Sequence, residues 1–240
     1  MAAALTIGTQ VPSYSFPPPR EKEHIYVPKS FDAEKPPEIS PPDLFLRSLG
    51  FPPQRAPDDC GVKRVGVMGA SNTVGKSYVR YLRELCPSTK FVVRAHGGYS
   101  PREQLEYLLP RLLEEKIDFL IVSPSGNDLV KHDHTAAVRE IVGKAKRKGI
   151  ATAVLSVSPR YRHYQEWNGF NDYLLHEKLG VPRLIDNVVD ITPPLLRKGS
   201  KYSCGYCYRD GVHWNDLGDQ RVAVQIYNTL WAKKKLEMPE

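Results

Sequence analysis

The sequence predicts an α/β fold in which a parallel sheet of about five strands is covered by helices on both faces. Three observations lead to this prediction. Short apolar runs recur along residues 61–240, amphipathic helical patterns separate them, and polar or glycine-containing turns follow most of them. The first 60 residues differ, because they hold 12 of the 21 prolines of this 240-residue chain. We therefore expect one folded domain with an extension.

The strands are predicted near residues 64–68, 90–94, 119–123 and 151–156, with a weaker one near 187–191. Each run is five or six residues long and rich in valine, isoleucine, leucine or phenylalanine. Runs of this length are too short for typical helices, and continuous apolar character is expected of strands buried on both faces.

Helices are predicted between the strands, because apolar residues recur there at three- and four-residue intervals. The last helix is expected near residues 216–234. The repeats that define the earlier helices are Tyr78, Tyr81, Leu82 and Leu85, then Leu105, Leu108, Leu109, Leu112 and Leu113, and then Ala137, Val138, Ile141, Val142 and Ala145.

Residues 1–60 are predicted to form a proline-rich, extended or disordered arm, and residues 61–240 the folded domain. Proline lacks a backbone N–H donor and interrupts helices, so clustered prolines disfavour regular structure. The arm has two interpretations. It is either a passive linker or a segment that presents polyproline-type turns to a protein partner.

The positive charge belongs to the folded domain. Residues 61–240 carry 28 lysines and arginines against 19 acidic residues, whereas the arm carries 6 against 8. Clusters at residues 144–148, 160–164, 197–201 and 233–235 could bind RNA or another anionic partner. Alternatively, these clusters are solvated residues at helix ends, where cations complement the helix dipole. The 160–164 cluster is the strongest candidate for RNA, because aromatic residues interleave its cations.

The cysteines do not predict a metal site. Cys204 and Cys207 have the spacing of a zinc-binding pair, but a structural zinc needs four ligands and the chain has no second such pair. The spacing also allows a local disulfide or redox exchange, although free thiols in a loop are the expectation. Neither a metal nor another cofactor is predicted.

The amino-terminal residues do not resemble a secretory signal, since Met1–Ile7 contain no basic residue and polar residues and proline soon follow. No apolar run approaches the roughly 20 residues of a membrane-spanning helix. A soluble, cytoplasmic protein is therefore expected.

The chemistry-bearing residues lie in two distant segments. Asp210 and His213 place a carboxylate and an imidazole three residues apart near the C-terminus, and Ser71 follows the first predicted strand. A serine hydroxyl needs a base to accept its proton, and the base needs a third group to hold its tautomer. Ser71, His213 and Asp210 are therefore a candidate charge-relay triad. A phosphate-binding loop at residues 69–77 is disfavoured, because Lys76 and Ser77 stand outside the required frame.

Two further segments follow the second and third predicted strands. Asn127 has a side-chain amide that could donate to a developing oxyanion, and Gly98 would let a backbone N–H approach the same oxygen. His96, Tyr99 and Trp214 lie beside these segments and are candidate substrate-binding residues.

These four segments, in this order, resemble the SGNH hydrolases, the superfamily of GDSL-type esterases and lipases, over about residues 63–232. The resemblance implies a flavodoxin-like three-layer sandwich. It implies Ser71 as the nucleophile, His213 as the base and Asp210 as its orienter. It further implies an oxyanion hole formed by Ser71, Gly98 and Asn127. The chain departs from the family at Ala70, where aspartate is usual, and at Ser125, where glycine is commonest.

Two functions follow from the resemblance. The first is a serine esterase that cleaves an ester, O-acetyl or thioester bond through an acyl-enzyme. The second is a non-catalytic domain that binds RNA or protein through its basic surface. Similar domains occur in some animal retroelements, and a proline-rich forerunner would suit that origin.

Overall fold

The structure, a computed structural model, describes residues 60–75, 77–127, 134–159, 164–176, 185–199 and 203–232. The predicted arm lies outside the described residues, except for Cys60 at its end. Among the described residues, five parallel strands form one sheet, as the apolar runs predict. The strands are β1 (Arg64–Gly69), β2 (Lys90–Ala95), β3 (Phe119–Val122), β4 (Ala151–Leu155) and β5 (Asn187–Val189).

The sheet has the strand order β2-β1-β3-β4-β5. Val65 of β1 pairs with Phe91 on one side and with Phe119 on the other, so β1 lies between β2 and β3. From β1 the chain passes first to β2 on one side and then to β3 on the other side, so the connecting helices diverge there. This divergence opens a crevice outside the carboxyl ends of β1 and β3. This is the flavodoxin-like order, and ligands of such sheets bind in that crevice.

Helices cover both faces of the sheet and complete a three-layer sandwich. Their bounds are α1 (Tyr78–Leu85), α2 (Pro101–Glu103), α3 (Leu109–Leu113), α4 (His134–Arg147), α5 (Tyr164–His176), α6 (Thr192–Leu195) and α7 (Asp216–Tyr227). Successive strand residues point to opposite faces. Val67 therefore packs in the apolar cluster with α1 and α7, while Met68 packs in the cluster with α3, α4 and α5.

The segment predicted as one helix from its leucines is divided. A π-helical turn, Gln104–Leu108, separates α2 from α3. Pro110 lies in the first turn of α3 and has no N–H to donate to a preceding carbonyl, so a regular helix cannot pass through it unchanged. Leu105, Leu108 and Leu112 are buried nevertheless, which confirms the apolar face of the pattern.

The prediction of free thiols at Cys204 and Cys207 is wrong, because these two residues form a disulfide. Isolated bridges from Leu196 to Cys204 and from Cys207 to Trp214 fix the ends of the intervening turn. The Cα atoms of the cysteines consequently lie 5.6 Å apart, a separation that a disulfide spans. Cys60 and Cys86 form a second disulfide, so all four cysteines are paired.

Within the described ranges, every helix is too short or too polar to cross a lipid bilayer.

Candidate active site

Ser71 stands on a tight turn at the carboxyl end of β1, the strand at the crevice. The turn, Ser71–Thr73, is closed by the Thr73 N–H, which donates to the carbonyl of Ala70 at 2.8 Å. Glycine is required at residue 69, because a Cβ atom there would collide with the Thr73 side chain. The chain therefore reverses sharply and leaves Ser71 half-buried at the edge of the sheet.

His213 and Asp210 are joined by a hydrogen bond of 2.7 Å between Nδ1 and Oδ2. A carboxylate can only accept hydrogen bonds, so Nδ1 must carry the proton. In the neutral ring this leaves Nε2 with a free lone pair. The imidazole is thus held in the tautomer that a general base requires.

Asp210 is held as a carboxylate. Partial burial acts to raise its pKa, but hydrogen bonds from the His213 ring and from the backbone N–H groups of His213 and Val212 outweigh it. The pKa of Asp210 consequently lies below its usual value. The backbone bonds measure 2.8 Å from Val212 and 3.0 Å from His213, both to Oδ1.

A short hairpin presents this pair. The Tyr208 N–H donates to the carbonyl of His213 at 2.8 Å, and the Asn215 N–H donates to the carbonyl of Tyr206 at 3.0 Å. The Cys204–Cys207 disulfide lies at the base of the hairpin. We call residues 206–215 the acid–base hairpin.

Asn72 connects the Ser71–Thr73 turn to the acid–base hairpin, and no sequence pattern predicted these contacts. Its Nδ2 donates to the carbonyl of Val212 at 3.2 Å, and its Oδ1 accepts from the N–H of Trp214 at 3.2 Å. The Asn72 side chain is thus hydrogen-bonded to the backbone on both sides of His213. The partners lie 140 residues or more away in sequence, so no local pattern could reveal them.

Two cavities meet at Ser71. The larger, which we call the cleft, has a water-accessible volume of about 280 Å³ and is lined by Ser71, Asn72, Val74, Ser77, Arg80, Tyr208, His213, Trp214, Asp216 and Asp219. The smaller has a corresponding volume of about 20 Å³ and is lined by Ala70, Ser71, Asn72, Ser123, Pro124, Ser125, Gly126, Ser156, Val157, Ser158, Ile191 and Trp214. Trp214 lines both cavities, whereas His213 lines the cleft alone.

The predicted oxyanion segments lie at the carboxyl ends of β2 and β3, the strands that flank β1. Gly98 has a φ of +83°, which residues with side chains rarely adopt. The Asn127 amide approaches the carbonyl of Tyr99 at 3.5 Å, and the Ser125 hydroxyl donates to the same carbonyl at 2.6 Å. Ser125 thus ties the two segments together, a contact that glycine at this position could not make. Neither Gly98 nor Asn127 is among the residues that line the two cavities.

His96 and Tyr99 lie outside the lining of both cavities. Their rings stack at a centroid distance of 4.0 Å, and Tyr107 approaches Tyr99 at 5.9 Å. Their role in substrate binding stays a prediction. His134 is buried, with Nε2 2.8 Å from the carbonyl of Ser125, and braces the Asn127 segment. The described residues contain no group of three or more side chains placed to hold a metal ion.

Asp219 is a buried acid that lines the cleft, and no sequence pattern pointed to it. Its Oδ1 accepts from the N–H of Tyr78 at 3.1 Å, so the first turn of α7 caps the start of α1. Burial raises the pKa of this carboxyl to about 7, against the lowering effects of the Tyr78 hydrogen bond and the Arg80 charge.

Replacing Asp219 with asparagine is expected to stabilise the protein at alkaline pH. Because the pKa is higher in the folded chain, folding binds a proton between about pH 4 and pH 7, and stability falls as pH rises through this window. Asparagine stays neutral and keeps the acceptor for Tyr78. We expect equal unfolding free energies near pH 4 and a gain on the order of 2–4 kcal/mol at pH 8.

Urea denaturation of wild type and Asp219→Asn at pH 4, 6 and 8 measures this difference. Asp172→Asn, at an exposed carboxylate on α5, is the control and should show no such divergence. A constant difference between wild type and Asp219→Asn at all three pH values would contradict the prediction.

No protein-family model and no curated protein sequence matches the chain. Solved structures do match. A GDSL-like lipase from Bacteroides thetaiotaomicron superposes with a TM-score of 0.60 at 18% identity, over 72% of this chain and 89% of that one. A family 3 carbohydrate esterase from Clostridium thermocellum superposes with a TM-score of 0.57 at 13% identity, over 72% and 98%. The fold is that of the SGNH hydrolases.

A catalytic mutant of an acetylxylan esterase from Geobacillus stearothermophilus also shares the SGNH fold, with a TM-score of 0.59 at 13% identity. The match covers 70% of this chain and 94% of that one. At these identities the likeness concerns the fold.

The basic clusters are only partly described. Lys144 pairs with Glu140 at 3.0 Å and Lys146 lies 3.9 Å from Asp186, so two cations of the first cluster face acids. Residues 160–163, 200–201 and 233–235 lie outside the described residues. Binding of RNA or another anionic partner stays a prediction.

Proposed function

We propose that this protein is a serine esterase, with Ser71 as nucleophile, His213 as general base and Asp210 as its orienter. The observation that carries the proposal is the Asp210–His213 bond of 2.7 Å on a hairpin that lines the same cleft as Ser71. Asn72, the residue that follows Ser71, is hydrogen-bonded to the backbone of that hairpin. The serine and the imidazole thus line one cleft, and the Asp210 carboxylate is hydrogen-bonded to that imidazole.

In the proposed reaction, Oγ of Ser71 attacks the ester carbonyl while Nε2 of His213 takes the hydroxyl proton. The tetrahedral intermediate collapses, the bond to the alcohol oxygen breaks, and His213 returns the proton to the leaving alcohol. An acyl-enzyme on Ser71 remains. His213 then takes a proton from water, the hydroxide attacks the acyl carbon, and the acid departs as Ser71 regains its proton.

The developing oxyanion needs donors held in place before the reaction begins. We propose the backbone N–H groups of Ser71 and Gly98 and the side-chain amide of Asn127. That amide has two N–H donors and approaches Tyr99 with its nitrogen at 3.5 Å, so a second donor is free to bind the oxyanion.

One comparison supports the base and its orienter. The catalytic mutants of the Geobacillus stearothermophilus acetylxylan esterase replace a histidine and an aspartate that lie three positions apart. Asp210 and His213 have the same order and spacing.

Labelling with a fluorophosphonate, followed by peptide mapping, tests the proposal. An activated serine forms a covalent phosphonyl ester, and we expect the label on Ser71 of the native protein and none on the heat-denatured protein. Ser123, Ser125, Ser156 and Ser158 line the adjoining cavity and are internal controls. Label on one of them, or none on a well-folded protein, would overturn the assignment.

Replacing Asn72 with alanine is expected to lower kcat by about 10- to 100-fold, because misplacing a catalytic group by an ångström has effects of this size. KM should change less than kcat, because Asn72 is only one of the residues that line the cleft. Measuring kcat and KM at a temperature well below the unfolding transition tests this.

Thr89→Val is the control for Asn72→Ala. It removes the hydrogen bond of 2.8 Å from Thr89 Oγ1 to the carbonyl of Val62, at the opposite edge of the sheet. It should lower the melting temperature and leave kcat unchanged. A kcat loss of similar size in both variants would show that general destabilisation, not positioning of His213, explains the effect.

A further inference from the structure

Ser125 is a buried serine just beyond β3, and its hydroxyl makes two hydrogen bonds that glycine could not make. It donates to the carbonyl of Tyr99 at 2.6 Å and accepts from the backbone N–H of Asn127 at 3.2 Å. A hydroxyl has one proton to donate and lone pairs that accept, so both bonds can form at once. Ser125 therefore joins the segment after β2 to the segment after β3.

Tyr99 closes the turn that contains Gly98. Its N–H donates to the carbonyl of His96 at 3.4 Å, and its own carbonyl accepts from Ser125. Among the described residues, the N–H of Gly98 has no acceptor, so it remains available as a donor. The bond from Ser125 to the Tyr99 carbonyl therefore helps to fix the position of the Gly98 turn.

The backbone of Ser125 is anchored to His134, the first residue of α4. Nε2 of this buried histidine lies 2.8 Å from the carbonyl of Ser125, and its ring packs edge-on against Phe170 at a centroid distance of 5.3 Å. A carbonyl can only accept, so Nε2 carries the proton. The hydroxyl of Ser125 thus contacts the segment after β2, while its carbonyl is held by the helix.

Ser125 also borders the space beside the proposed nucleophile, because it lines the smaller cavity together with Ser71. Its single hydroxyl proton is donated to Tyr99, so it has none to offer an oxyanion. On the basis of the proposed esterase function, we propose that Ser125 is a positioning residue that holds the Gly98 and Asn127 donors at a fixed separation. Such donors stabilise the transition state only if they are in place before charge develops.

Ser125→Ala is expected to lower kcat by about 10- to 100-fold, because misplacing a catalytic group by an ångström has effects of this size. KM should change by less than about 3-fold, since the donors act on the transition state more than on the bound ester. Ser125→Gly introduces the residue commonest in the family and should lose at least as much activity. Ser125→Thr keeps the hydroxyl and should restore kcat to within about 3-fold of wild type.

Thr152→Val is the matched control, because it also deletes one buried hydroxyl and keeps the size of the side chain. Thr152 lies near the amino end of β4, and its Oγ1 donates to Oδ2 of Asp186 at 3.3 Å. The control should lower the melting temperature and leave kcat unchanged. Equal losses of kcat in Thr152→Val and Ser125→Ala would overturn the proposal.

A trifluoromethyl ketone separates positioning from general damage. Oγ of Ser71 adds to its carbonyl carbon, His213 takes the proton, and the carbonyl oxygen becomes an oxyanion like that of the tetrahedral intermediate. Ser125→Ala should weaken inhibition by this ketone by the same factor as it lowers kcat/KM. Inhibition by the methyl ketone of the same chain, which resembles the bound ester, should stay unchanged. Equal weakening of both inhibitors would contradict a positioning role.

A double-mutant cycle with Asn127→Ala tests whether Ser125 acts through that residue. One of the donors that Ser125 holds is already missing in Asn127→Ala. The loss of kcat on adding Ser125→Ala should therefore be at least about 5-fold smaller in this background than in wild type. Fully additive losses would show that Ser125 acts independently of Asn127 and would overturn the proposal.

Failure of this inference differs from failure of the esterase proposal. If the fluorophosphonate labels Ser71 and wild type hydrolyses 4-nitrophenyl acetate, but Ser125→Ala keeps the kcat of wild type, only the positioning role of Ser125 is overturned. If the native protein is not labelled and hydrolyses no ester, both proposals are overturned. Labelling of Ser71 with a loss of kcat in Ser125→Ala and its recovery in Ser125→Thr supports both.

Discussion

Ser71→Ala is expected to lower kcat by about 10⁶-fold, and the activity that remains over uncatalysed hydrolysis comes from the oxyanion donors and from substrate binding. Without the hydroxyl no acyl-enzyme forms, and His213 has no proton to accept. The fold should persist, because the turn is held by the Thr73–Ala70 backbone bond and alanine occupies the adjoining position 70.

The measurement is hydrolysis of 4-nitrophenyl acetate, together with the melting temperature and the circular dichroism spectrum. Ser88→Ala, at an exposed serine near the start of β2, is the control and should retain full activity. Undiminished activity in a folded Ser71→Ala variant would contradict the assignment of Ser71 as the nucleophile.

Asp210→Asn is expected to lower kcat by about 10⁴-fold. An asparagine can keep Oδ1 as the acceptor for the N–H groups of Val212 and His213, so the acid–base hairpin should keep its shape. Its side-chain nitrogen would then donate to Nδ1 of His213. That reversal places the ring proton on Nε2, where it blocks transfer from Ser71.

Kinetics and ¹⁵N NMR of the His213 ring together test this mechanism. The variant should show the proton on Nε2 and a melting temperature near that of wild type. Asp210→Ala is the comparison, because it removes the hairpin bonds as well and should also lose stability. A kcat loss under about 10-fold in Asp210→Asn, with the tautomer reversed, would contradict the role of Nε2 as the base.

The sequence was informative about the sheet because the strands are buried on both faces. β3 is buried at all four positions, and such continuous apolar runs stand out from amphipathic helices. The predicted strand bounds agree with the structure within one residue, apart from the carboxyl end of β5, which lies two residues before the predicted end. The leucine repeat around Pro110 is regular and predicts one continuous helix. The segment is divided because Pro110 has no N–H to donate, a local effect that the spacing of apolar residues does not reveal.

The candidate site was predictable only where its chemistry is local. Asp210 and His213 are close in sequence, and their hydrogen bond follows from a single turn. Asn72 and Asp219 each contact a segment about 140 residues away, and the cavities are lined by several segments that are far apart in the sequence. Side chains that act at such a distance leave no periodicity or spacing in the sequence.

The two disulfides bear on the predicted cytoplasmic location. Disulfides persist in oxidising compartments and are rare in the reducing cytosol. The cytoplasmic location stays a prediction, and thiol counting on protein isolated with alkylating agent present would decide whether the cysteines are paired in the cell.

The Cys60–Cys86 disulfide has a topological consequence. It closes a covalent ring that contains β1, Ser71, Asn72 and α1. Ser71 and Asn72 thus stay within one covalent loop when the chain unfolds, and the ring lowers the conformational entropy of that loop in the unfolded chain. The acid–base hairpin lies outside the ring, so assembling the proposed triad requires two distant segments of the chain to dock.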